Sequence, residues 1–330
     1  MPNTLRSVSI VGTGSYLPKK VLTNADLVRM VDTTDEWITS RTGIRERRIA
    51  ATDECTSDLG AEAVRRALEN ADVPSSKVDL ILCATITPDM HFPCTAALIQ
   101  HKIGAPHIAC FDIEAACSGF IYGIEIGRQF IMSRTCNTVV VVAAEKLSSI
   151  VDWKDRNTCV LFGDGAGAAV LQHSSASHGI MASSLGGDGA HGELLCVPGG
   201  GARLPASVAT VNSGQHYLKM MGKEIYKHAM KSMQQAVTEA LQRAGMKIDD
   251  ITCIIPHQAN MRIIEGLAER LEVPMERFYV NLHRYGNMSA ASAAVALDES
   301  AREGRFKRGD IILTVAFGAG LTWGANVVKW

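Results

Sequence analysis

The segment Phe162-Gly-Asp-Gly-Ala-Gly-Ala-Ala-Val170 is followed, 155 residues later, by a looser copy, Phe317-Gly-Ala-Gly-Leu-Thr-Trp-Gly-Ala325. A second pair lies earlier in each half of the chain: the strand-like segment Asp79–Ala84 resembles Asp250–Ile255 at an offset of 171. Segments that recur in the same order indicate an internal duplication. We therefore predict a fold built from two similar halves.

A third pair consists of single residues that each precede a helix-like stretch. Cys117 and Asn287 lie 170 residues apart, which agrees with the offset of the strand-like pair. Because the offset is only 155 for the glycine-rich pair, the first half should contain extra residues. We place them between about Leu147 and Leu161.

The two halves are expected to join in the polar stretch Gln172–His178. We therefore predict an N-terminal half, 1–178, and a C-terminal half, 179–330. A glycine-rich segment, Gly186–Gly201, is interpreted as an ordered loop over a site rather than as a linker.

Short apolar runs alternate with segments of helical period. Val78–Ala84 and Thr138–Ala144 are typical of strands that are buried on both faces. Apolar residues at helical spacing begin at Ser57 in the first half. In the second half such a run extends from about Gly222 to Gly245, where the glycine would end the helix. This alternation predicts an α/β fold with mostly parallel sheets.

The composition excludes several classes of protein. The chain has 330 residues, of which 47% are hydrophobic and 20% charged, so intrinsic disorder is excluded. With 33 Lys and Arg against 34 Asp and Glu, the net charge of −1 argues against a general nucleic-acid binder. No apolar run has the length of a membrane span, and Met1–Gly14 lacks the layout of a secretion signal. Nine cysteines without a Cys-x-x-Cys pair indicate neither a disulfide framework nor a zinc site, so we expect a soluble, reduced protein of the cytoplasm.

Cys117 is the first candidate for chemistry. It lies among the small residues of Ala115–Gly119, directly before apolar residues at helical spacing that begin with Phe120. A cysteine at a helix N-terminus feels the positive end of the helix dipole, which favours the thiolate. The small neighbours would let a substrate carbonyl approach the sulfur and the backbone N–H groups. A buried structural cysteine is the alternative interpretation.

A histidine and an asparagine complete a possible catalytic set. His257 follows the strand-like segment Cys253–Pro256, and the carboxyl end of a parallel strand is where open α/β folds place functional groups. Asn287 stands just before the helix-like stretch Ala290–Glu299. Either residue alone could be a hydrogen-bonded turn or helix cap. Together with Cys117 they suit thioester chemistry, in which the thiolate accepts an acyl group and two donors stabilise an enolate or oxyanion.

Other site patterns are weaker. Gly12-x-Gly14 and Gly163-x-Gly165-x-Gly167 do not match a dinucleotide fingerprint, so we interpret them as tight turns and close packing. The sequence shows no paired carboxylates and no spacing of metal ligands that would compete with the thiol.

Eight segments form an ordered set along nearly the whole chain. They are Gly12–Pro18, Thr34–Ile38, Arg41–Arg47, Ala115–Gly119, Phe162–Ala168, Pro256–Asn260, Gly286–Ser292 and Phe317–Gly324. Singly the glycine-containing motifs are weak, but the ordered set resembles the β-ketoacyl-acyl-carrier-protein synthase III family, condensing enzymes that start type II fatty acid synthesis.

The resemblance implies a thiolase-like fold of two similar halves in five layers, αβαβα, and usually a homodimer. It matches Cys117, His257 and Asn287 to the family's catalytic triad. In the implied cycle, Cys117 takes an acyl group, typically acetyl, from acyl-CoA, and malonyl on acyl carrier protein then loses CO2. The enolate, held by His257 and Asn287, attacks the acyl-cysteine, and the backbone amides of Cys117 and Ala319 form the oxyanion hole. The resemblance implies no cofactor or metal beyond the CoA thioester and the phosphopantetheine-linked substrate.

The resemblance also implies contacts for the substrates. Trp37 and Arg156 would sandwich the adenine of CoA, with Arg41 near its phosphates. Asn260 would hold the pantetheine arm. The remaining residues would form the acyl pocket: Leu147 and Phe317 of one subunit, and Phe92 inserted from its partner.

A basic surface is expected to dock the acidic carrier protein. Lys223, Lys227 and Lys231 are spaced four residues apart, which puts them on one side of a helix. A solvated helix face is the alternative interpretation of such a stripe. The resemblance adds a contact segment, and Arg270 adds basic character; the segment comprises Gln258, Ala259, Asn260, Met261 and Arg262.

The residues at these positions also bear on alternative classes of protein. Biosynthetic thiolases rely on a second cysteine and hydroxymethylglutaryl-CoA synthases on a glutamate, so His257 with Asn287 fits neither well. A non-catalytic partner subunit would have lost the nucleophile, whereas Cys117 is in place. A synthase III paralogue that makes a secondary-metabolite or polyketide starter stays open, because pocket shape rather than the triad sets the substrate.

Overall fold

The structure is a computed structural model that describes residues 7–174 and 178–330. None of its helices is long and apolar enough to cross a bilayer. The strands are β1 (Ser7–Tyr16), β2 (Lys20–Thr23), β3 (Glu46–Ile49), β4 (Leu80–Ala84), β5 (Ala109–Ile113), β6 (Thr138–Lys146), β7 (Asp164–Ser174), β8 (Gly179–Gly187), β9 (Leu195–Cys196), β10 (Lys219–Met220), β11 (Cys253–Pro256), β12 (Ile311–Gly318) and β13 (Thr322–Lys329). The helices are α1 (Asn24–Val28), α2 (Asp35–Thr42), α3 (Thr56–Asn70), α4 (Thr95–Lys102), α5 (Gly119–Met132), α6 (Arg156–Cys159), α7 (Val208–Asn212), α8 (Gly222–Ala244), α9 (Met261–Leu271), α10 (Leu282–Tyr285) and α11 (Ala290–Arg302).

Two sheets repeat one topology. The first has the order β1-β7-β6-β4-β5 and the second has the order β8-β13-β12-β11. Beyond β11, Phe278 bridges to Ile254 in parallel, where the first sheet has its fifth strand. Strand directions match as well. The neighbours β1, β7 and β6 are antiparallel, like β8, β13 and β12. The next strand is parallel to its neighbour in each sheet: β4 pairs with β6, and β11 pairs with β12. The predicted duplication is therefore visible strand by strand.

The prediction of mostly parallel sheets is wrong. In the first sheet β4 pairs in parallel with both β5 and β6, but β7 is antiparallel to β1 and β6. The periodicity of apolar residues identifies strands but carries no information on their direction. The sheets are mixed because β7 returns along β6, and β13 along β12, without a crossover helix.

The elements stack in five layers. Helices α5 and α11 contact each other and lie between the two sheets, in a core that includes Phe120, Val141 and Ile255. Helices α3 and α4 cover the outer face of the first sheet, and α8 with α9 covers the outer face of the second. The predicted αβαβα architecture is confirmed.

The extra residues of the first half lie where the smaller sequence offset of the glycine-rich pair predicts them. Residues 147–163 connect β6 to β7 and contain α6, whereas only 319–321 connect β12 to β13. The first sheet takes its strands from 7–174 and the second from 179–329. Residues 175–177 of the proposed join lie outside the described residues, so the boundary between 178 and 179 stays a prediction.

Helix ends and glycine positions follow the local chemistry. The helix predicted from Ser57 begins one residue earlier, and α8 ends before Gly245, whose φ of 66° is readily adopted by glycine. Gly14 and Gly167 lie in strands rather than in turns. A Cβ at Gly14 would lie 2.3 Å from the backbone of α3, and one at Gly167 would lie 2.7 Å from α11. Close packing was thus the correct interpretation of these glycines, and tight turns the wrong one.

Candidate active site

Both halves contribute to one cavity of about 940 Å³. Cys117, His257 and Asn287 all line it, as do Trp37 and Arg41. The predicted glycine-rich loop also reaches it, through the segment that contains β9. The sequence-predicted residues at the cavity wall are Trp37, Arg41, Cys117, Leu147, Lys223, Lys227, His257, Ala259, Asn260, Arg262, Asn287, Phe317 and Ala319.

Cys117 occupies a tight turn between β5 and α5. The turn is a single 3₁₀ stretch, 116–118, and Ala116 has a φ of 44°, an unusual value for a residue with a Cβ. The turn packs against the end of β12, where a Cβ at Gly318 would lie 2.6 Å from the Cys117 nitrogen. Glycine at 318 therefore lets the second half approach the backbone of the cysteine.

Burial determines the protonation of Cys117. It raises the pKa of this thiol to about 12; the nearby Ser289 hydroxyl lowers the pKa, and the charge of Glu145 raises it further. Burial therefore opposes the effect expected of the helix terminus on this thiol, because desolvation disfavours the charged form. A proton acceptor is needed when the sulfur reacts.

His257 is held at the end of β11 as a neutral side chain. Its backbone N–H donates to the Val315 carbonyl at 2.7 Å, which fixes the residue beside β12. The imidazole is almost fully buried, and burial lowers its pKa to about 3. A neutral imidazole has one N–H donor and one lone pair. His257 can therefore donate a hydrogen bond to a substrate oxygen at neutral pH.

Asn287 is oriented by its neighbours. Its Oδ1 accepts the Ser289 N–H at 2.8 Å, which identifies the oxygen and leaves the Nδ2 amide as the donor available to the cavity. The Asn287 backbone pairs with the first half, since its N–H donates to the Leu161 carbonyl at 2.8 Å. Its carbonyl accepts the Gly163 N–H at 3.0 Å.

The repeated glycine motifs hold the functional residues of the opposite half. Phe162 of the first half bridges to Asn287 of the second. In the second half, the equivalent position is Phe317, and the glycine after it touches Cys117. The motifs that reveal the duplication therefore also position two members of the predicted triad.

The turn before β13 is tied to the turn that holds Cys117. Thr322 Oγ1 donates to the Ala115 carbonyl at 2.9 Å and to the Ala319 carbonyl at 3.0 Å. Ala319 lines the cavity beside Gly318. Its amide and that of Cys117 are thus carried by two turns that are fixed to each other, as an oxyanion hole requires.

The predicted adenine sandwich is closed in this structure. The guanidinium of Arg156 lies 5.1 Å from the centre of the Trp37 ring, and Arg41 lies at the same distance. A base between Trp37 and Arg156 would need about 7 Å, twice a van der Waals contact. Arg156 also donates to the Asp32 carbonyl at 2.9 Å. Trp37 and Arg156 are brought together, but Arg156 must move before a base can enter.

The other predicted substrate contacts are partly assembled. Leu147 and Phe317 are buried at the cavity wall. Asn260 lines the cavity and also caps α9, because its Oδ1 accepts the Arg262 N–H at 2.9 Å. Phe92 is 84% exposed on the loop before α4 and is not at the wall of its own cavity.

Gln258 is wrongly predicted as a carrier-protein contact. Its side chain is fully buried, where Oε1 accepts the Asn281 N–H at 3.0 Å and Nε2 donates to the Pro256 carbonyl at 2.8 Å. It therefore fastens the loop after β11 to the start of α10. The residue lies inside a matching motif, and a motif does not distinguish a buried amide from an exposed one.

The remaining docking candidates divide into two groups. Lys223, Lys227 and Arg262 are exposed and lie at the cavity rim, while Ala259 and Met261 are half-buried beside them. Arg270 is exposed at the other end of α9, about 12 Å along the helix from Arg262, and its guanidinium donates to Gln234 Oε1 at 3.2 Å.

Two residues near Cys117 were missed by sequence reasoning. Glu145 is buried in β6, and Ser289 lines the cavity. Glu145 follows the apolar run Val139–Ala144, so a charged residue at the carboxyl end of a buried strand was the available signal. Ser289 lies in a matching motif, where nothing in the sequence separates it from an ordinary helix cap.

A buried cysteine, histidine and asparagine at the junction of two such halves define a condensing enzyme of the thiolase-like class. Two family profiles match the chain. The one described as 3-Oxoacyl-[acyl-carrier-protein (ACP)] synthase III covers residues 111–189, and the one for its C terminal part covers residues 241–330. The chain belongs to the β-ketoacyl-[acyl-carrier-protein] synthase III family, acyltransferases that initiate fatty acid synthesis.

Individual relatives agree over nearly the full length. The Beta-ketoacyl-[acyl-carrier-protein] synthase III of Caldanaerobacter subterraneus is 55% identical, with 98% of each chain covered. The crystal structure of 3-oxoacyl-[acyl-carrier-protein] synthase III from Aquifex aeolicus has a TM-score of 0.91 at 48% identity, covering 98% of this chain and 100% of that one. The priming β-ketosynthase of the R1128 polyketide pathway also has a TM-score of 0.91, at 37% identity, with 98% and 96% covered.

The neutral state of His257 predicts the pH dependence of the decarboxylating half-reaction. Because burial lowers the pKa of His257 to about 3, the imidazole stays neutral far below pH 7. We expect release of CO2 from malonyl carrier protein to be nearly flat between about pH 5.5 and 8, because the protonation state of His257 does not change in this range. A histidine with an ordinary pKa would be about 90% imidazolium at pH 5.5, so the rate would change across the range. An acid limb near pH 6.5, reversible on return to neutral pH, would contradict the buried neutral state.

Proposed function

We propose that the chain condenses an acyl-CoA primer, acetyl-CoA first among them, with malonyl-acyl carrier protein. The products are 3-oxoacyl-acyl carrier protein, CoA and CO2, so the reaction initiates type II fatty acid synthesis. The observation that carries the proposal is the convergence of Cys117, His257 and Asn287 on one cavity. The proposed cycle needs no cofactor or metal besides its thioester substrates, and we place it in the cytoplasm.

The first half-reaction forms an acyl-enzyme. The Cys117 sulfur attacks the thioester carbonyl of acyl-CoA, and the tetrahedral oxyanion is stabilised by the amides of Cys117 and Ala319. Collapse of that intermediate breaks the bond to the CoA sulfur. The burial of Leu147 and Phe317 at the cavity wall supports an apolar space for the transferred chain.

The second half-reaction forms the carbon–carbon bond. The malonyl thioester oxygen accepts hydrogen bonds from the His257 imidazole and the Asn287 amide, which stabilise the enolate as CO2 leaves. The enolate carbon then attacks the acyl-cysteine carbonyl and releases Cys117. A neutral His257 suits this step, because its N–H can donate to the developing oxyanion and no proton has to leave the ring first.

A side-by-side assay of primers tests the proposal. Purified chain receives malonyl-acyl carrier protein with acetyl-CoA, a branched short acyl-CoA or a longer acyl-CoA, and the 3-oxoacyl product is measured by mass. The fatty acid role predicts the highest kcat/KM with a short primer. A preference for long or unusual primers would favour the second candidate, a polyketide or secondary-metabolite starter enzyme, which the match to the R1128 ketosynthase keeps open. Absence of product with every primer would contradict both.

We propose that two chains form a homodimer through the edge of the first sheet. Among the residues that the structure describes, the outer strand β5 pairs only with β4, and it exposes 37% of Phe111. Phe92 and Met90 are exposed nearby in sequence, on the loop before α4. Exposed large apolar side chains beside an open strand edge favour association. Phe92 would then reach the acyl pocket of the partner.

Charge reversal at the cavity rim is expected to affect the reaction with malonyl-acyl carrier protein more than the reaction with acyl-CoA. Lys227→Glu combined with Arg262→Glu should raise KM for malonyl-acyl carrier protein about tenfold or more, because both cations are exposed where an acidic carrier would approach. Acylation by acetyl-CoA should change much less. The matched control is Lys247→Glu, an exposed lysine remote from the cavity lining. Equal loss in both half-reactions would count against carrier docking here.

A further inference from the structure

A fully buried arginine joins separate segments of the first half. The Nη1 of Arg47, on β3, donates to the Leu22 carbonyl at 3.1 Å and to Asn24 Oδ1 at 2.9 Å. Its Nη2 donates to the Val160 carbonyl at 2.8 Å. In the part of the chain that the structure describes, no carboxylate forms an ion pair with Arg47. A cation buried without a carboxylate is costly, so its presence at this position calls for a reason.

Asn24 extends this hydrogen-bond network to α2. Its side chain is buried, and its Nδ2 donates to Asp35 Oδ1 at 2.7 Å and to the Ile44 carbonyl at 2.9 Å, with a longer contact to Thr39 Oγ1 at 3.3 Å. The amide hydrogens are therefore used on the side of α2, while Oδ1 faces the guanidinium of Arg47. A flipped amide would lose the bonds on both sides. We call these two side chains the amide–guanidinium pair.

The two ends of the network lie at the helices that carry the proposed adenine contacts. Asp35 is the first residue of α2, which carries Trp37. Val160 is the first residue after α6, which begins with Arg156. Apolar side chains also pack between these segments, but such contacts have no preferred direction. The amide–guanidinium pair, with hydrogen bonds of 2.7, 2.9 and 2.8 Å along the route, fixes the orientation of the two segments as well as their spacing.

We propose that Asn24 and Arg47 are positioning residues for the nucleotide end of acyl-CoA. This inference rests on the proposed function. The pair holds the backbones of α2 and α6 in place, so that entry of the adenine displaces only the Arg156 side chain. That side chain lies 5.1 Å from the Trp37 ring and donates to the Asp32 carbonyl at 2.9 Å. Both contacts can be given up while α6 stays in place, because α6 is held at its opposite end. Walls fixed before the ligand arrives lower the entropic cost of binding.

The substrates give this role a specific signature. Acetyl-CoA carries an adenine, whereas S-acetyl-pantetheine and the arm of malonyl-acyl carrier protein carry none. Loss of the amide–guanidinium pair should therefore raise KM for acetyl-CoA and leave KM for the two other thioesters nearly unchanged. A merely structural contact would act differently, because its loss reduces the folded fraction and lowers the rate with every substrate alike.

Two variants test the role in acylation, followed by intact-protein mass. Asn24→Ala removes the amide at the first position of α1, where alanine is a good helix former. Arg47→Met removes the cation and keeps an unbranched side chain. We expect each to raise KM for acetyl-CoA about fivefold or more, and to change KM for S-acetyl-pantetheine less than about twofold. The matched control is Asn70→Ala, which removes a 2.9 Å bond from the Thr13 N–H away from the cavity wall and should change neither KM.

A double-mutant cycle with Arg156→Ala shows whether the pair acts through the adenine contacts. Once the Arg156 side chain is removed, Asn24→Ala should raise KM for acetyl-CoA by less than about a further twofold. Independent effects of the two substitutions, or an equal rise in KM for S-acetyl-pantetheine, would overturn the inference. If either Asn24→Ala or Arg47→Met fails to fold, the other decides alone: an unchanged KM for acetyl-CoA would overturn the positioning role. Failure of the wild-type chain to be acylated by acetyl-CoA would instead contradict the proposed function.

Discussion

Replacement of Cys117 by Ser is expected to lower the condensation rate about 10³-fold or more, and replacement by Ala to abolish the acyl-enzyme. The serine hydroxyl is a weaker nucleophile than the thiol, and the site was shaped around a buried sulfur whose proton is removed only during attack. Both substitutions fit the space next to Gly318, because neither enlarges the side chain. Stability should therefore change little.

Intact-protein mass after mixing with acetyl-CoA measures this effect directly. The wild-type chain should gain one acetyl group, and Cys117→Ala should gain none. Cys55→Ser is the matched control, since Cys55 is exposed at the start of α3 and serine is a good helix cap. A thioester that forms at the wild-type rate on Cys117→Ala would place the nucleophile elsewhere and would contradict the assignment of Cys117 as the acylated residue.

Substitution of His257 or Asn287 by Ala is expected to affect mainly the second half-reaction. Each change removes one donor to the enolate oxygen, a loss of about 10²–10³ in the rate of CO2 release. Acylation of Cys117 should fall only a few-fold. The Asn287 backbone keeps its bonds to Leu161 and Gly163, so the substitution leaves the junction of the halves in place.

Comparison of the two half-reactions is the internal control for these variants. Acylation is followed by mass and decarboxylation by CO2 release in the same preparation. Asn287→Asp keeps the shape but replaces the donor by a carboxylate, so it should be as impaired in CO2 release as Asn287→Ala. Equal impairment of both half-reactions by Asn287→Ala would indicate a structural role rather than enolate stabilisation.

The duplication and the layer order could be predicted because they leave local traces. The copy of Phe162–Val170 at Phe317–Ala325 marked equivalent strands, and the shortened offset marked the insertion that contains α6. Strand direction could not be predicted from apolar periodicity, and mixed sheets were found where parallel ones were expected. Direction depends on which strands meet in space, which is a tertiary property.

The site shows the same division between local and tertiary information. Cys117, His257 and Asn287 could be proposed because each follows or precedes a regular element at a turn. The raised pKa of Cys117 could not be predicted, because it results from burial of the thiol under the opposite half. The same limit explains the wrong expectation for Gln258, which packs inside the chain, and the omission of the buried Glu145.

The exchange of contacts between the glycine motifs has an evolutionary consequence. In an ancestor with identical subunits, the position before one central helix would have faced its own counterpart across a twofold axis. If two such copies were fused, these two positions would be free to differ, as Cys117 and Asn287 do in this chain. Neither half expressed separately would hold a complete reaction centre, and deleting either glycine motif would damage the member of the pair that the other copy encodes.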